Sequence, residues 1–445
     1  MMKRLIPALI IVLASALPVQ AKPFSLMEAL NLTLERNLSL RKALLKKKQI
    51  DEKAEIVLSG VRPQLSLSSK GSTYNLQDSS AASSLGSPTG LSNYATPTGQ
   101  GGKSPSVLQN SMSISQVLFD GFRTKDELTL VDLEKKSGDW DVFIARQNAL
   151  NDVTNAYLNA LRMEGLLQVS LASERAALGH LAQSLDRQKA RMGTRFEVLQ
   201  AKTQLSKVRG EVSKAKNAAI LAKLTLFNAI NISPQQAPLQ EVRPLRTVGF
   251  DLKQSSEAVD NRAELKQLFL KKQVDQKNIE LNDRSYLPTV SGVGSYSMQG
   301  SGTDRYWMME VNSQWNLFDG GHTRAKSNQT KLDLAMDEAT IEQAEAALGL
   351  EIEKSLRDRD EAKERFQIAD EGLIFAKESV LLAESRYTAG MGTSIEVIDA
   401  QTSLTQAEQD RIGAHYDLQA AELNLAKALG IDLGDYLIGS SKPSI

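Results

Sequence analysis

Apolar residues recur at helical spacing over two long stretches of the chain, residues 198–226 and 397–428. Three or four residues separate each apolar position from the next, as in Val198, Ala201, Leu205, Val208 and Val212. Positions at this spacing share one face of an α-helix, and a seam of this length predicts coiled-coil packing. Alanine is frequent in both seams and allows neighbouring helices to approach closely.

A longer helical segment precedes each seam. Residues 122–190 and 322–389 contain no proline, and each would measure about 100 Å as one continuous helix at about 1.5 Å per residue. Short breaks that contain glycine follow them, Arg191-Met192-Gly193-Thr194 and Gly390-Met391-Gly392-Thr393. We therefore predict two long helical hairpins, residues 122–230 and 322–430, with these breaks as their tips.

Before each hairpin the periodicity changes from helical to alternating. Polar residues alternate with Trp307, Met309, Val311, Trp315 and Leu317, and serines alternate with Met112, Ile114 and Leu118. A period of two predicts β-strands over about 107–119 and 305–318, each preceded by a proline-marked partner strand, about 62–75 and 287–299. By pattern alone, the apolar face of such a sheet could meet either lipid or the core of a soluble domain.

The whole order of elements occurs twice. Leu118-Phe119-Asp120-Gly121 recurs as Leu317-Phe318-Asp319-Gly320, and Met192-Gly193-Thr194 recurs as Met391-Gly392-Thr393, both at an offset of 199 residues. The duplication predicts one repeat over residues 22–235 and a second over 249–433, each opening with a helix (about 26–58 and 252–282), then a tail over 434–445. Residues 78–105, rich in Ser, Gly, Thr and Pro, are predicted to be an extra loop of the first repeat.

The N-terminal residues 1–21 have the pattern of a cleaved secretory signal peptide. Lys3 and Arg4 precede an apolar run, and small residues flank the expected cleavage site after Ala21. The protein is therefore expected to be exported. Basic and acidic residues number 53 each, and this zero net charge argues against a nucleic-acid partner.

Composition also bears on chemistry. The chain contains no cysteine, so we expect neither a thiol-based site nor the lipid-modified cysteine of a lipoprotein. Its three histidines share no metal-binding spacing and are interpreted as surface residues. No set of nucleophile, base and acid is evident. We expect no cofactor, no metal and no enzymatic activity.

Four strands are too few to close a barrel in a membrane. An open sheet edge is not tolerated in hydrocarbon, and the smallest membrane barrels have about eight strands. If the sheet enters a membrane, the protein must be an obligate homo-oligomer. Two, three or four copies all satisfy this arithmetic.

The second tip resembles a motif of the TolC-like outer-membrane efflux proteins. Arg386-Tyr387-Thr388-Ala389-Gly390 is followed after five residues by Glu396-Val397-Ile398-Asp399-Ala400, and the order of elements also matches, from about residue 26 to 431. The resemblance implies an α+β membrane protein with internal duplication. Long coiled-coil helices would form a trimeric α-barrel across the periplasm, and four strands per protomer would contribute to a twelve-stranded transmembrane β-barrel in the outer membrane.

The same resemblance implies a function. The homotrimer would conduct substrates from an inner-membrane transporter and a periplasmic adaptor protein across the outer membrane, in efflux or type I secretion, and would be gated at its periplasmic helical tip. The alternative is an exported structural coiled-coil protein, such as an adhesin, with no transport role. That alternative would not require paired amphipathic strands at a repeated boundary.

Particular residues acquire expected roles from this resemblance. Pore and gate roles fall on Glu396, Asp399, Tyr387 and Glu197, with the Tyr387 hydroxyl expected to bond Glu197. The adaptor is expected to dock on the tips, Arg191, Met192, Gly193, Thr194, Arg195, Gly390, Met391, Gly392 and Thr393. Membrane-interface positions are Trp307, Trp315, Phe119 and Phe318. Arg191 stands where the second tip has Gly390, which leaves open whether the two tips turn alike.

Overall fold

The computed structural model describes residues 23–73, 106–235, 237–249, 255–299 and 304–438. The predicted signal peptide and the predicted loop over residues 78–105 lie outside these ranges, as do the last seven residues of the predicted tail.

The described residues include nine α-helices and four strands. The first half contains α1 (Leu26–Arg36), α2 (Leu38–Ser59), β1 (Gln64–Thr73), β2 (Ser106–Phe119), α3 (Arg123–Lys189) and α4 (Arg195–Ile230). The second half contains α5 (Ser255–Asp260), α6 (Ala263–Asp283), β3 (Thr289–Gln299), β4 (Asp304–Gln314), α7 (His322–Thr388), α8 (Ser394–Ala428) and α9 (Leu433–Ile438). None of these helices is both long and apolar enough to cross a membrane.

The chain divides into two compact units. One comprises Met1–Leu44, Asp141–Lys266 and Gln343–Ile445, and the other comprises Leu45–Trp140 and Gln267–Glu342. The first unit holds both hairpin tips. In its core, Tyr157 of α3 packs against Phe24 and Phe227 and donates its hydroxyl to the carbonyl of Gln240, 2.7 Å away. These contacts join the segment before α1 to both helices of the first hairpin.

The second unit holds a four-stranded antiparallel sheet in the order β1-β2-β3-β4. Alternation gives its two faces different chemistry. On one face hydroxyl groups pair across strands, with Ser66 and Ser113 Oγ atoms 2.8 Å apart. On the other face apolar side chains such as Leu67 pair with Met112 and are exposed. Strands β1 and β4 are the sheet edges within the described residues.

Strand β4 is shorter than the predicted 305–318 and ends at Gln314. Gln314 pairs with Thr289, and the residue before Thr289 is Pro288, which has no backbone N–H to continue the ladder. The alternation of apolar residues continues beyond the strand. Trp315 and Phe318 therefore lie in the connection to α7 and not in the sheet.

The helices that open each repeat are interrupted, contrary to prediction. Asn37 separates α1 from α2, and its side chain accepts from the Leu40 amide (3.0 Å) and donates to the Ala229 carbonyl (3.2 Å). Asn261 and Arg262 similarly separate α5 from α6. In both places side-chain hydrogen bonds to another segment replace the continuous helix that the apolar spacing suggested.

The predicted tail over 434–445 begins inside a helix. Residues 433–438 form α9, and Leu433 is fully buried. The side chain of Gln147 in α3 accepts a hydrogen bond from the Leu433 amide at 2.8 Å. The chain after the second hairpin thus returns to the core of the first unit.

Candidate functional site at the hairpin tips

Both tips make the same turn despite their different sequences. Arg191 and Gly390 occupy the left-handed region, with φ of 58° and 75°. The amides of Met192 and Met391 each donate to the carbonyl five residues earlier, at 2.9 Å in both tips. The left-handed conformation costs a residue with a Cβ atom about 1–2 kcal/mol, so Arg191 carries a strain that Gly390 avoids.

The returning helices begin with equivalent caps. Thr194 and Thr393 are the N-cap residues of α4 and α8, and their hydroxyls accept from the amides of Glu197 and Glu396, each at 3.3 Å. Acidic side chains in the first turn are favoured by the partial positive charge of a helix N-terminus. Glu396 also lies 3.7 Å from the guanidinium of Arg386.

Glycine at the second tip serves two separate purposes. A Cβ atom on Gly392 would lie 3.0 Å from the backbone nitrogen of Tyr387 and 3.1 Å from the Cβ of Arg386. A Cβ atom on Gly390 would meet nothing within 4 Å. Position 392 therefore favours glycine because space is tight, and position 390 favours it for its positive φ.

Tyr387, at the end of α7, connects the two hairpins. Its side chain is only 1% exposed, and its hydroxyl donates to Glu197 Oε2 at 3.1 Å. The guanidinium carbon of Arg187 lies 4.6 Å from the centre of the ring, and Arg187 Nη1 donates to the Tyr387 carbonyl at 2.8 Å. Burial raises the pKa of Tyr387, so the hydroxyl keeps its proton and acts as a donor. The hydrogen bond that the family resemblance implied is present between the two hairpins of one chain.

His180 and Ser394, which sequence reasoning missed, complete this contact. His180 of α3 is 4% exposed, so its interpretation as a surface residue was wrong. Its Nε2 atom lies 2.8 Å from Ser394 Oγ at the start of α8, and its ring centre is 5.3 Å from that of Tyr387. His180, Ser184 and Arg187 are spaced as neighbours on one helical face, but this spacing does not show that the face is buried.

Glu396 and Asp399 are both exposed on α8, while Val397 and Ala400 form its buried side. Asp399 makes no hydrogen bond or ion pair with another described residue. Within one chain, the two acids therefore point away from the packed face of the helix. Their position leaves them available to solvent or to another copy.

The tips differ in charge. Residues 183–202 contain five basic and two acidic residues, whereas the equivalent residues 382–401 contain one basic and three acidic residues. At the first tip Arg191 and Arg195 are exposed, and Lys189 forms an ion pair with Asp186, which is exposed as well. Equivalent turns thus present a cationic surface on one hairpin and an anionic surface on the other.

The four expected membrane-interface residues lie in the second unit. Trp307 of β4 is exposed beside Tyr296, and Trp315 follows the strand and donates its indole N–H to the Tyr286 carbonyl at 2.9 Å. Phe119 ends β2, and Phe318 is exposed in the connection to α7.

The aspartates that follow these two phenylalanines have a role that sequence reasoning missed. Asp120 accepts from the Thr124 amide at 2.6 Å, and Asp319 accepts from the Thr323 amide at 2.8 Å. Each aspartate thereby satisfies a free N–H group at the start of a long helix.

Comparisons with known proteins agree on one family. Residues 29–231 and 255–431 match the family model described as outer membrane efflux protein. The outer membrane protein TolC of Salmonella enteritidis is 24% identical over 96% of this chain and 86% of its own length. The toxin and drug export protein A of Aggregatibacter actinomycetemcomitans is 22% identical over 72% of each chain. The crystal structure of the CmeC outer membrane channel of Campylobacter jejuni is similar with a TM-score of 0.73 and 16% identity, covering 91% of this chain and 85% of that one.

Proposed function

Because the chain belongs to the outer membrane efflux protein family, we propose that it is the outer-membrane channel of a tripartite export system. It resides in the outer membrane and extends into the periplasm. In the proposed system it receives substrates from an inner-membrane transporter through a periplasmic adaptor. The name of one relative refers to the export of both toxins and drugs. The proposed channel could therefore belong to an efflux system or to a type I secretion system.

We propose that three copies assemble. The four-stranded sheet has one face of exposed apolar side chains and two edges, β1 and β4, with no partner among the described strands. Three sheets joined edge to edge supply twelve strands and leave no edge open to lipid. Exposed apolar residues on the long helices, such as Leu332, Leu350 and Phe375 of α7, would be covered by neighbouring copies.

The hydrogen bond between Tyr387 and Glu197 carries the gating part of the proposal. It joins the end of α7 in the second hairpin to the start of α4 in the first hairpin, so the two tips are held together when it is formed. In a trimer, Glu396 and Asp399 of three chains would form acidic rings at the narrow end of the conduit. Carboxylates gathered in this way attract cations. Multivalent cations bound among them would block the conduit.

The exposed tips are the proposed surface for the adaptor. Their unlike charges predict that the cationic tip of the first hairpin meets acidic groups of the partner, and that the second tip does not. Arg191 to Arg195 would then contribute more to association than Gly390 to Thr393.

Reconstitution tests the proposal directly. Full-length protein extracted from outer membranes with detergent should have the mass of three chains, and it should conduct ions in planar bilayers. A stable folded monomer would contradict the assembly, and trimers without conductance would favour the exported coiled-coil alternative.

A further inference from the structure

A buried histidine joins the hairpins close to Tyr387. His180 projects from α3 and is bonded through Nε2 to Ser394, the first residue of α8. Its other ring nitrogen, Nδ1, is buried and has no hydrogen-bond partner in the described residues. Ser184, one turn further along α3, bonds the His180 carbonyl and approaches the Tyr387 hydroxyl at 3.4 Å. The imidazole thus occupies the interface between the hairpins.

This site suits a neutral imidazole better than a cation. The N-terminus of α8 presents a partial positive charge at Ser394, and the Arg187 guanidinium stacks on the Tyr387 ring next to His180. Two carboxylates face the group from other helices, Glu384 of α7 and Glu197 of α4. Burial lowers the pKa of His180 from its ordinary value of 6.5, although both carboxylates act to raise it.

We propose that protonation of His180 separates the two hairpins of one chain at their tips, which makes His180 the pH-sensitive element of the gate. An imidazolium carries two N–H donors, and the buried Nδ1–H would have no acceptor in the closed arrangement. Separation of the tips exposes both N–H donors of the imidazolium to water, which can accept their hydrogen bonds. As a gating mechanism this inference rests on the proposed function, but the separation itself does not.

The direction of the effect follows from linkage. A histidine whose pKa is lowered in the closed tip stabilises that tip above its ordinary pKa of 6.5, and the stabilisation is lost as pH falls through the lowered value. Acidic pH therefore favours the separated tips. Each His180 changes the equilibrium by at most about tenfold per pH unit.

Distances between the tips provide the test in the full-length protein. Because the chain has no cysteine, Lys189→Cys and Met391→Cys allow one spin label on each tip, where the side chains are 78% and 71% exposed. Dilution of the labelled chains with unlabelled chains ensures that each measured distance joins two spin labels of the same chain. Between about pH 7.5 and pH 5.0 we expect the population of longer distances to rise about fivefold or more, with a midpoint below 6.5.

Two substitutions make this test specific. His180→Gln keeps a neutral hydrogen-bonding group and should remove the acid response. His415→Gln is the matched control, because His415 is half-buried and, like His180, is bonded to a neutral partner, here Gln419; this variant should retain the response. A wild-type protein without an acid response, or a His180→Gln variant that responds like the wild type, would overturn the proposal.

Two further measurements keep the outcome decisive. If the tips of the His180→Gln variant are already separated at neutral pH, the Ser394→Ala variant is measured instead, because it keeps His180 as a titratable group. A retained acid response in this variant supports the proposal, and its absence refutes it. Conductance is recorded in parallel. Acid-dependent distances without any conductance would refute the channel function alone, and conductance without acid-dependent distances would refute the His180 mechanism alone.

Discussion

Removal of the Tyr387 hydroxyl should weaken the closed tip. Tyr387→Phe keeps the buried ring and its contact with the Arg187 guanidinium but deletes the donor to Glu197. A hydrogen bond to a charged group contributes about 1.5–3 kcal/mol. Glu197 is half-exposed and the bond is 3.1 Å long, so we expect a loss at or just below the lower limit of this range, about 1–1.5 kcal/mol per chain. The contact with Ser184 at 3.4 Å adds little.

This loss corresponds to about a tenfold rise in the open population, since about 1.4 kcal/mol changes an equilibrium tenfold. Single-channel recording in planar bilayers measures the open fraction, and the spin-labelled tips measure the separation. Tyr416→Phe is the matched control, because Tyr416 is a partly buried tyrosine of α8 whose hydroxyl has no hydrogen bond to the described residues. Equal open fractions for Tyr387→Phe, Tyr416→Phe and wild type would refute the role of this bond.

Three further outcomes are expected. Gly392→Ala should disturb the second tip and reduce export, whereas Gly390→Ala should cost only about 1–2 kcal/mol of backbone strain and leave export nearly normal. Export is measured with trimer levels as the control. Equal export defects in the two variants would contradict the interpretation of the tip geometry. Glu396→Gln combined with Asp399→Asn should reduce cation selectivity and block by multivalent cations; unchanged recordings would mean that these acids do not line the pore. Arg195→Glu should weaken crosslinking to the adaptor more than Ser385→Glu on the second hairpin, and equal losses would argue against a role for tip charge.

The long helices and their tips could be predicted because their signals are local. An absence of proline over more than sixty residues and a glycine or cap residue at each break determine where α3 and α7 end. The bond between Tyr387 and Glu197 was accessible only through the resemblance to a known family. Spacing places Tyr387 on α7 and Glu197 on α4, but it carries no information about which helices pack together.

Other features depend on partners remote in sequence. The end of β4 is determined by Pro288 on the neighbouring strand, and the alternation through Trp315 contains no sign of it. Asn37 interrupts a helix because a carbonyl of α4 is within reach of its side chain. His180 was assigned to the surface because an isolated histidine in a polar helix has no distinguishing pattern. Its burial requires both Tyr387 and the start of α8 to lie against it.

The two tips have the same backbone geometry but different side chains. The turn depends on backbone hydrogen bonds and on one left-handed residue, and both tips satisfy these conditions, even with Arg191 in place of glycine. Side chains around the turn are under no such constraint. The first hairpin contributes His180, Arg187 and Glu197 to the contact between hairpins, and the second contributes Tyr387 and Ser394. Neither hairpin contains all of these residues, so the contact forms only when both hairpins pack together. Titration of a group on one hairpin therefore acts on the position of the other.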